Sequence, residues 1–178
     1  MLRTAIDLGA GASFDTAVMV MDAALHRGFM TAAELADRIA SARPHRGGRT
    51  LSRAGRFADA ASESPGESLS RVRIHQLGLP PPRLQVVRHR PDGSRERPDF
   101  DWPDHRVVGE FDGKEKYLKP EYLGRMSPGE AVYAEKRRED RLRRDGDEVA
   151  RWGWGELMRP ELLSGILLEA GLPRIRRP

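Results

Sequence analysis

The stretch RERPDFDWPDHRVVGEFDG (95–113) decides the fold. Pro103-Asp104 is a turn-forming break. On either side of it lie RERPDFDW (95–102) and HRVVGEFDG (105–113), in which aromatic and β-branched residues are set among charged ones, the composition of half-buried strands. Folding back at the break makes them an antiparallel pair. Alternation sends Asp99 and Asp101 to one face of the first strand, and Glu110 and Asp112 to one face of the second. These carboxylates then converge near one end of the sheet. Directly opposed like charges destabilise a sheet, so such a cluster calls for a cation. Oxygen ligands suit Mg²⁺ or Mn²⁺, and a metal held there can activate water and steady the charge on a phosphate being displaced. For Asp101 the preferred reading is pairing with a nearby arginine, and Asp104 reads as turn chemistry.

Working outward, RLQVVRHR (83–90) is a further strand, joined to the pair through Pro91-Asp92-Gly93-Ser94, so that in chain order RLQVVRHR is the first strand, RERPDFDW the second and HRVVGEFDG the third. The three make an antiparallel meander. Gln85 in this strand has two readings, one pointing at the acids and one simply exposed. Downstream, 114–126 reads as an irregular loop. Ser127-Pro128 opens a helix that runs to about Arg144 and closes at Gly146. EVARWGW (148–154) is a fourth strand, with Trp152 and Trp154 alternating about it as sheet packing. A helix between the third and fourth strands lets the fourth lie parallel to a neighbour. A last helix spans about Pro160 to Ala170, and the tail PRIRRP is expected to fray.

The front of the chain is helical. Ser13 caps FDTAVMVMDAALHR (14–27), whose apolar positions Phe14, Val18, Met21 and Leu25 fall at helical spacing, and Gly28 ends it. Thr31 with Glu34 forms a capping box for a second helix ending before Pro44. PHRGGR reads as a loop, and a third helix is expected over Leu51–Ala61. Ser64, Pro65 and Glu67 open a fourth, which stops at Gly78 before Pro80-Pro81-Pro82. The expected fold is therefore α/β: a mixed sheet of about four strands flanked by helices, with residues 1–62 as a helical region and 63–178 as the α/β domain.

Composition narrows the chemistry. The absence of cysteine excludes disulfides, a thiol nucleophile and thiolate zinc sites. The five histidines (His26, His45, His75, His89, His105) include no pair at ligand spacing, so a histidine metal site is not expected. The net charge of +4 is carried mostly by arginine, whose planar fork suits phosphate; a GC-rich genome would give the same composition. No apolar run approaches the length of a membrane span. The opening MLRTAIDLGAG lacks the charged-then-apolar signal pattern, which predicts the cytoplasm.

Three segments together carry a resemblance: ESPGESLSRVRIHQLGLPPPRLQ, RPDFDWPDHRVVGEFDGKEKY and EKRREDRLRRDGDEVARWGW. Residues 63 to about 157 resemble a very-short-patch-repair-endonuclease-like domain of the PD-(D/E)XK nuclease superfamily. They also resemble the C-terminal half of actinobacterial AbiEi-family antitoxin-like proteins and putative transcriptional regulators. The resemblance implies a restriction-endonuclease-like fold and a metal-dependent DNA endonuclease with Mg²⁺ or Mn²⁺. It matches Asp99 to the central metal-binding aspartate and Glu110 and Asp112 to the acidic pair on the next strand. Glu67 matches the acid on the preceding helix, with its capping box as the other reading. Asp140 matches an acid that orients a base, or else pairs with Lys136 or Arg144 on its own helix.

The sequence departs from repair-type members after the third strand. Where those carry histidines, this chain has Asp112 and Lys116, with Tyr117 beside the latter. Asp112-Gly113-Lys114 is an acid-x-lysine, so Lys114 and Lys116 are both candidates to polarise the attacking water; a lysine in a loop also serves as a phosphate contact. Residues 2–62 resemble the helical linker of the antitoxin-like proteins, through RTAIDL, AVMVMDAALHRG and TAAEL. Longer members place a winged helix before this linker, which is not expected here. Three functions follow: a DNA phosphodiesterase, a non-catalytic nuclease-like module binding DNA or a cognate toxin, and a protein-binding module using the helical front.

Overall fold

The structure, a computed structural model, describes residues 11–41, 48–89, 93, 95–113 and 146–175. It divides into two compact units, Met1–Val72 and Arg73–Pro178. The expected helix near 127–144, with Asp140, and both candidate lysines, Lys114 and Lys116, lie outside the described residues.

In the first unit, helix α1 spans Phe14–His26, α2 Ala32–Ser41 and α3 Gly48–Phe57, and α4, Pro65–Gln76, begins there. The caps are those the sequence encodes. Ser13 Oγ accepts the Thr16 N–H at 3.2 Å. Thr31 and Glu34 cap each other, Glu34 N–H donating to Thr31 Oγ1 at 3.2 Å and Thr31 N–H to Glu34 Oε2 at 2.7 Å. Val18, Met21 and Leu25 of α1 are buried with Leu35, Leu51, Ala54 and Val72. Within this core Asp22 receives Arg71 Nη1 at 2.7 Å and the Asp59 N–H at 2.8 Å. Burial pushes the Asp22 carboxyl up, and Arg71 with the Asp59 amide draws it part of the way back.

Helix α3 starts before Leu51 and ends at Phe57, not at Ala61. The cause is tertiary: Arg71 donates to the Phe57 carbonyl at 2.6 Å, Asp59 turns towards Asp22, and the Asp59 side chain accepts the Ala61 N–H at 2.9 Å.

The second unit holds a mixed sheet. Its strands are β1 (Arg83–Leu84), β4 (Phe100–Trp102), β5 (Val107–Phe111) and β6 (Glu148–Trp152), in the order β1-β4-β5-β6. The first two pairings are antiparallel and β5 with β6 is parallel, the arrangement expected of a crossover after the third strand. A two-stranded ribbon, β2 (Arg88–His89) with β3 (Arg95–Glu96), completes it. Helices α5 (Trp154–Leu157) and α6 (Pro160–Glu169) follow, burying Leu157, Leu163 and Leu167.

Two expectations change here. Trp154 is not a strand residue. Gly153 caps α5, its N–H donating to Glu156 Oε2 at 2.9 Å, so the strand stops at Trp152 and Trp154 is 42% exposed. The tail is tied at its start, the Ile175 N–H donating to the Gly78 carbonyl at 2.8 Å. No helix among the described residues is long and apolar enough to cross a membrane.

Candidate functional site

The first two expected strands form one hairpin with an interruption. Arg83 and Leu84 pair with Asp101 and Phe100, and Arg88 and His89 pair with Glu96 and Arg95. Both ladders keep one register, and continuing it sets Gln85 opposite Asp99. The ladder is broken between them because Pro98 has no N–H to give and Gln85 adopts a left-handed backbone, φ 53°. A non-glycine residue there costs about 1–2 kcal/mol. Two bonds offset that cost: Gln85 N–H donates to the Asp99 carbonyl at 3.2 Å, and Gln85 Nε2 donates to Asp99 Oδ1, also at 3.2 Å. Of the two readings of Gln85, the structure has the one that points to the acids.

Asp99 Oδ2 accepts the Phe111 N–H at 2.9 Å, so the side chain stands in for a ladder carbonyl at the end of β5. The β4–β5 ladder pairs Phe100 with Gly109, Asp101 with Val108 and Trp102 with Val107; extended one position past its end, the same register sets Asp99 across from Glu110. Directly opposed residues of an antiparallel pair share a face. One face of the sheet therefore carries Asp99, Asp101, Val108 and Glu110, with Arg151 of β6 in register with Glu110. Asp99 and Glu110 are each 8% exposed. Asp112 lies just past the strand, half-buried, its N–H donating to the Trp152 carbonyl at 2.8 Å.

Asp101 is neutralised, as expected, and its partner is Arg88. The guanidinium binds Asp101 through Nε and Nη2 and reaches Asp147 Oδ2 through Nη1 at 2.6 Å. Burial works against the charge of Arg88, but hydrogen bonds and attraction from the two aspartates outweigh it and raise its pKa. This triad ties β2 to β4 and to the entry of β6. Sequence reading did not find Arg88 or Asp147, since the contact between them spans 59 positions and no local pattern announces it.

The opposite face is aromatic. Phe100 lies 5.1 Å from Trp152 and 6.2 Å from Trp102, centroid to centroid. Trp102 Nε1 donates to the Pro80 carbonyl at 2.8 Å. Gly109 lies beneath these rings, and the lack of a side chain there lets them close over β5.

Glu67 belongs to the first unit and caps α4. Its Oε1 accepts the Ser64 hydroxyl at 2.7 Å and its Oε2 the Glu63 N–H at 2.9 Å. Among the described residues no three His, Asp or Glu side chains form a metal-holding group. Mg²⁺ does not need three, because it is bound by one or two carboxylates with water and phosphate oxygens completing the shell. A carboxylate offers about four lone-pair positions, so the Gln85 and Phe111 bonds are compatible with a metal at Asp99.

No family model matches the chain, and no solved structure matches it. Among curated proteins it is similar to uncharacterized proteins of Mycobacterium tuberculosis in strains CDC 1551 and H37Rv. Each is 32% identical over 117 residues, which cover 66% of this chain and 43% of the relative. The chain thus spans less than half the length of the curated relatives it matches.

Proposed function

We propose that the second unit is a restriction-endonuclease-like, metal-dependent nucleic-acid phosphodiesterase domain, related to the very-short-patch-repair enzymes and acting on DNA in the cytoplasm. The observation that carries this reading is a pair of buried acids at one end of the β4–β5 ladder, Asp99 just before β4 and Glu110 in β5, which the register extended one position sets across from each other. Opposed like charges are unfavourable, and a divalent cation turns that repulsion into attraction. Gln85 and Phe111 each donate to one oxygen of Asp99 and so hold the carboxylate in place. In this reading Asp99 and Glu110, with Asp112 following, hold Mg²⁺ or Mn²⁺. The ion supplies water activation and charge neutralisation at the phosphate. Lys114 or Lys116 orients the water.

A second reading has its own support. Both oxygens of Asp99 serve the fold, and Arg151 stands in register with Glu110. In that case the unit is a non-catalytic nuclease-like module of an AbiEi-type antitoxin or regulator, binding DNA or a toxin.

The test is plasmid and single-stranded DNA incubated with Mg²⁺ or Mn²⁺, against Asp99→Asn, which keeps an acceptor for Phe111. The phosphodiesterase reading expects metal-dependent nicking that falls at least about 100-fold in the variant. Salt-sensitive DNA binding with no nicking in either protein supports the second reading and rejects the first.

A further inference from the structure

We propose that α3 is a docking strip for the phosphate backbone of a nucleic acid, carried by the first unit and distinct from the acidic face of the second. The helix reads GRTLSRAGRF. At 3.6 residues per turn, Arg49, Arg53 and Arg56 fall within an arc of roughly 60°. Leu51 and Ala54, both buried, occupy the other side. All three arginines are exposed, and none forms an ion pair among the described residues. The helix contains no acid at all.

This arrangement works against the helix. Arg49 and Arg53 are four apart, and Arg53 and Arg56 three apart, spacings at which like charges repel. Arg49 also sits in the first turn, where the helix dipole favours acids. Three mutually repelling cations are thus held together by the buried face beneath them. Polyanion binding relieves the repulsion. The Arg53 guanidinium lies over the Phe14 ring, 4.9 Å from its centroid, which fixes its position without consuming an N–H donor. From Arg49 to Arg56 the strip covers about 10 Å of helix axis, a reach of about three successive phosphates on one strand. Arginine forks match phosphate oxygens two at a time.

Nucleic acid fits better than a bilayer. A helix that lies on a membrane inserts an apolar face, and the apolar face of α3 is already buried within its own unit. The inference does not rest on the phosphodiesterase reading, since it needs neither metal nor the acids.

The test is fluorescence anisotropy of the full chain with a duplex of arbitrary sequence, titrated between about 50 and 200 mM salt. Each phosphate contact contributes about 0.9 to the slope of log affinity against log salt. R49Q/R53Q/R56Q is therefore expected to lose about 2.7 of that slope, roughly a 40-fold smaller change in affinity across the range. R49Q/R56Q, which leaves the Phe14 contact intact, loses about 1.8, and R49K/R53K/R56K retains the slope. Three results overturn the proposal: an unchanged slope in both glutamine variants, no duplex binding by the unmodified chain at the lowest salt, or loss of binding to phosphatidylserine vesicles with duplex binding intact.

Discussion

Replacing Gly109 by alanine places a methyl group where the aromatic face has no room for one. The added Cβ would lie 2.6 Å from Trp152 Cη2, 2.9 Å from Trp152 Cζ3 and 3.0 Å from Trp102 Cζ3. Neither ring can retreat freely. Both are 2% exposed, Trp102 is held by its bond to the Pro80 carbonyl, and Trp152 lies against Phe100. Overpacking a filled core costs about 1–3 kcal/mol, and three contacts this short place Gly109→Ala near the upper end. Alanine also restricts the unfolded chain, which returns about 0.4–1 kcal/mol. The net expectation is about 2 kcal/mol of destabilisation, a fall of roughly 10 °C in Tm at the sensitivity of a domain near 100 residues. Urea unfolding followed by tryptophan fluorescence reads it directly, since Trp102 and Trp152 are the rings that must move. Trp152→Phe removes the clashing ring atoms, so the double variant should recover about 1 kcal/mol or more relative to the sum of the singles. An unchanged midpoint in Gly109→Ala, or strict additivity in the double variant, refutes the claim that this glycine sets the closeness of the aromatic layer.

Arg88→Met removes the guanidinium shared by Asp101 and Asp147, and breaking a buried charge pair costs about 3–5 kcal/mol. The urea midpoint should fall accordingly and recover in large part when both aspartates are also made asparagine; a fall below about 1 kcal/mol assigns the triad to the weak class of surface pairs. At the start of α2, the Thr31 N–H and hydroxyl hold the Glu34 carboxyl below the usual carboxylate range. A depressed folded pKa means that the cap contributes fully above the unfolded value, about 4.3, and is lost as pH falls through the folded value. An NMR titration of Glu34 should find its midpoint below that of a peptide, and Thr31→Ala, which removes the hydroxyl but keeps the N–H, should move it part of the way back; a midpoint at or above the peptide value in the unmodified chain rejects the cap as the cause.

What the sequence made legible was the chemistry that acts over a few residues. Ser13, Thr31 with Glu34, and Ser64 with Glu67 announced three helix starts, because a cap and its orphan amides lie within one turn. The Pro103-Asp104 break fixed the β4–β5 hairpin and with it a register whose extension sets Asp99 across from Glu110. The misses arose where a distant residue decides. Helix α3 ends where Arg71 and Asp22 draw the chain away. The alternation of Trp152 and Trp154 continued past Gly153 on paper, but the Gly153–Glu156 bond starts a helix there. The left-handed backbone at Gln85 has no sequence signature, because glycine or asparagine is the residue such a conformation usually selects.

The contrast between Asp99 and Asp101 bears on what the acidic face is for. The two alternate on the same side of one chain segment and are both buried, yet the fold treats them differently. Asp101 is met by a guanidinium, so its charge is cancelled where it stands. Asp99 accepts hydrogen bonds from an amide and a backbone N–H, which fix its orientation. That arrangement comes with an interrupted ladder and a left-handed Gln85. Stability alone gives no reason to anchor a buried carboxylate with neutral donors beside a second carboxylate at Glu110. The proposed phosphodiesterase reading supplies one, because a carboxylate already held in place loses little entropy when it binds a cation, and a ligand fixed by outer partners holds its metal more tightly. On this reasoning Gln85 is as much a part of the candidate site as the acid it positions.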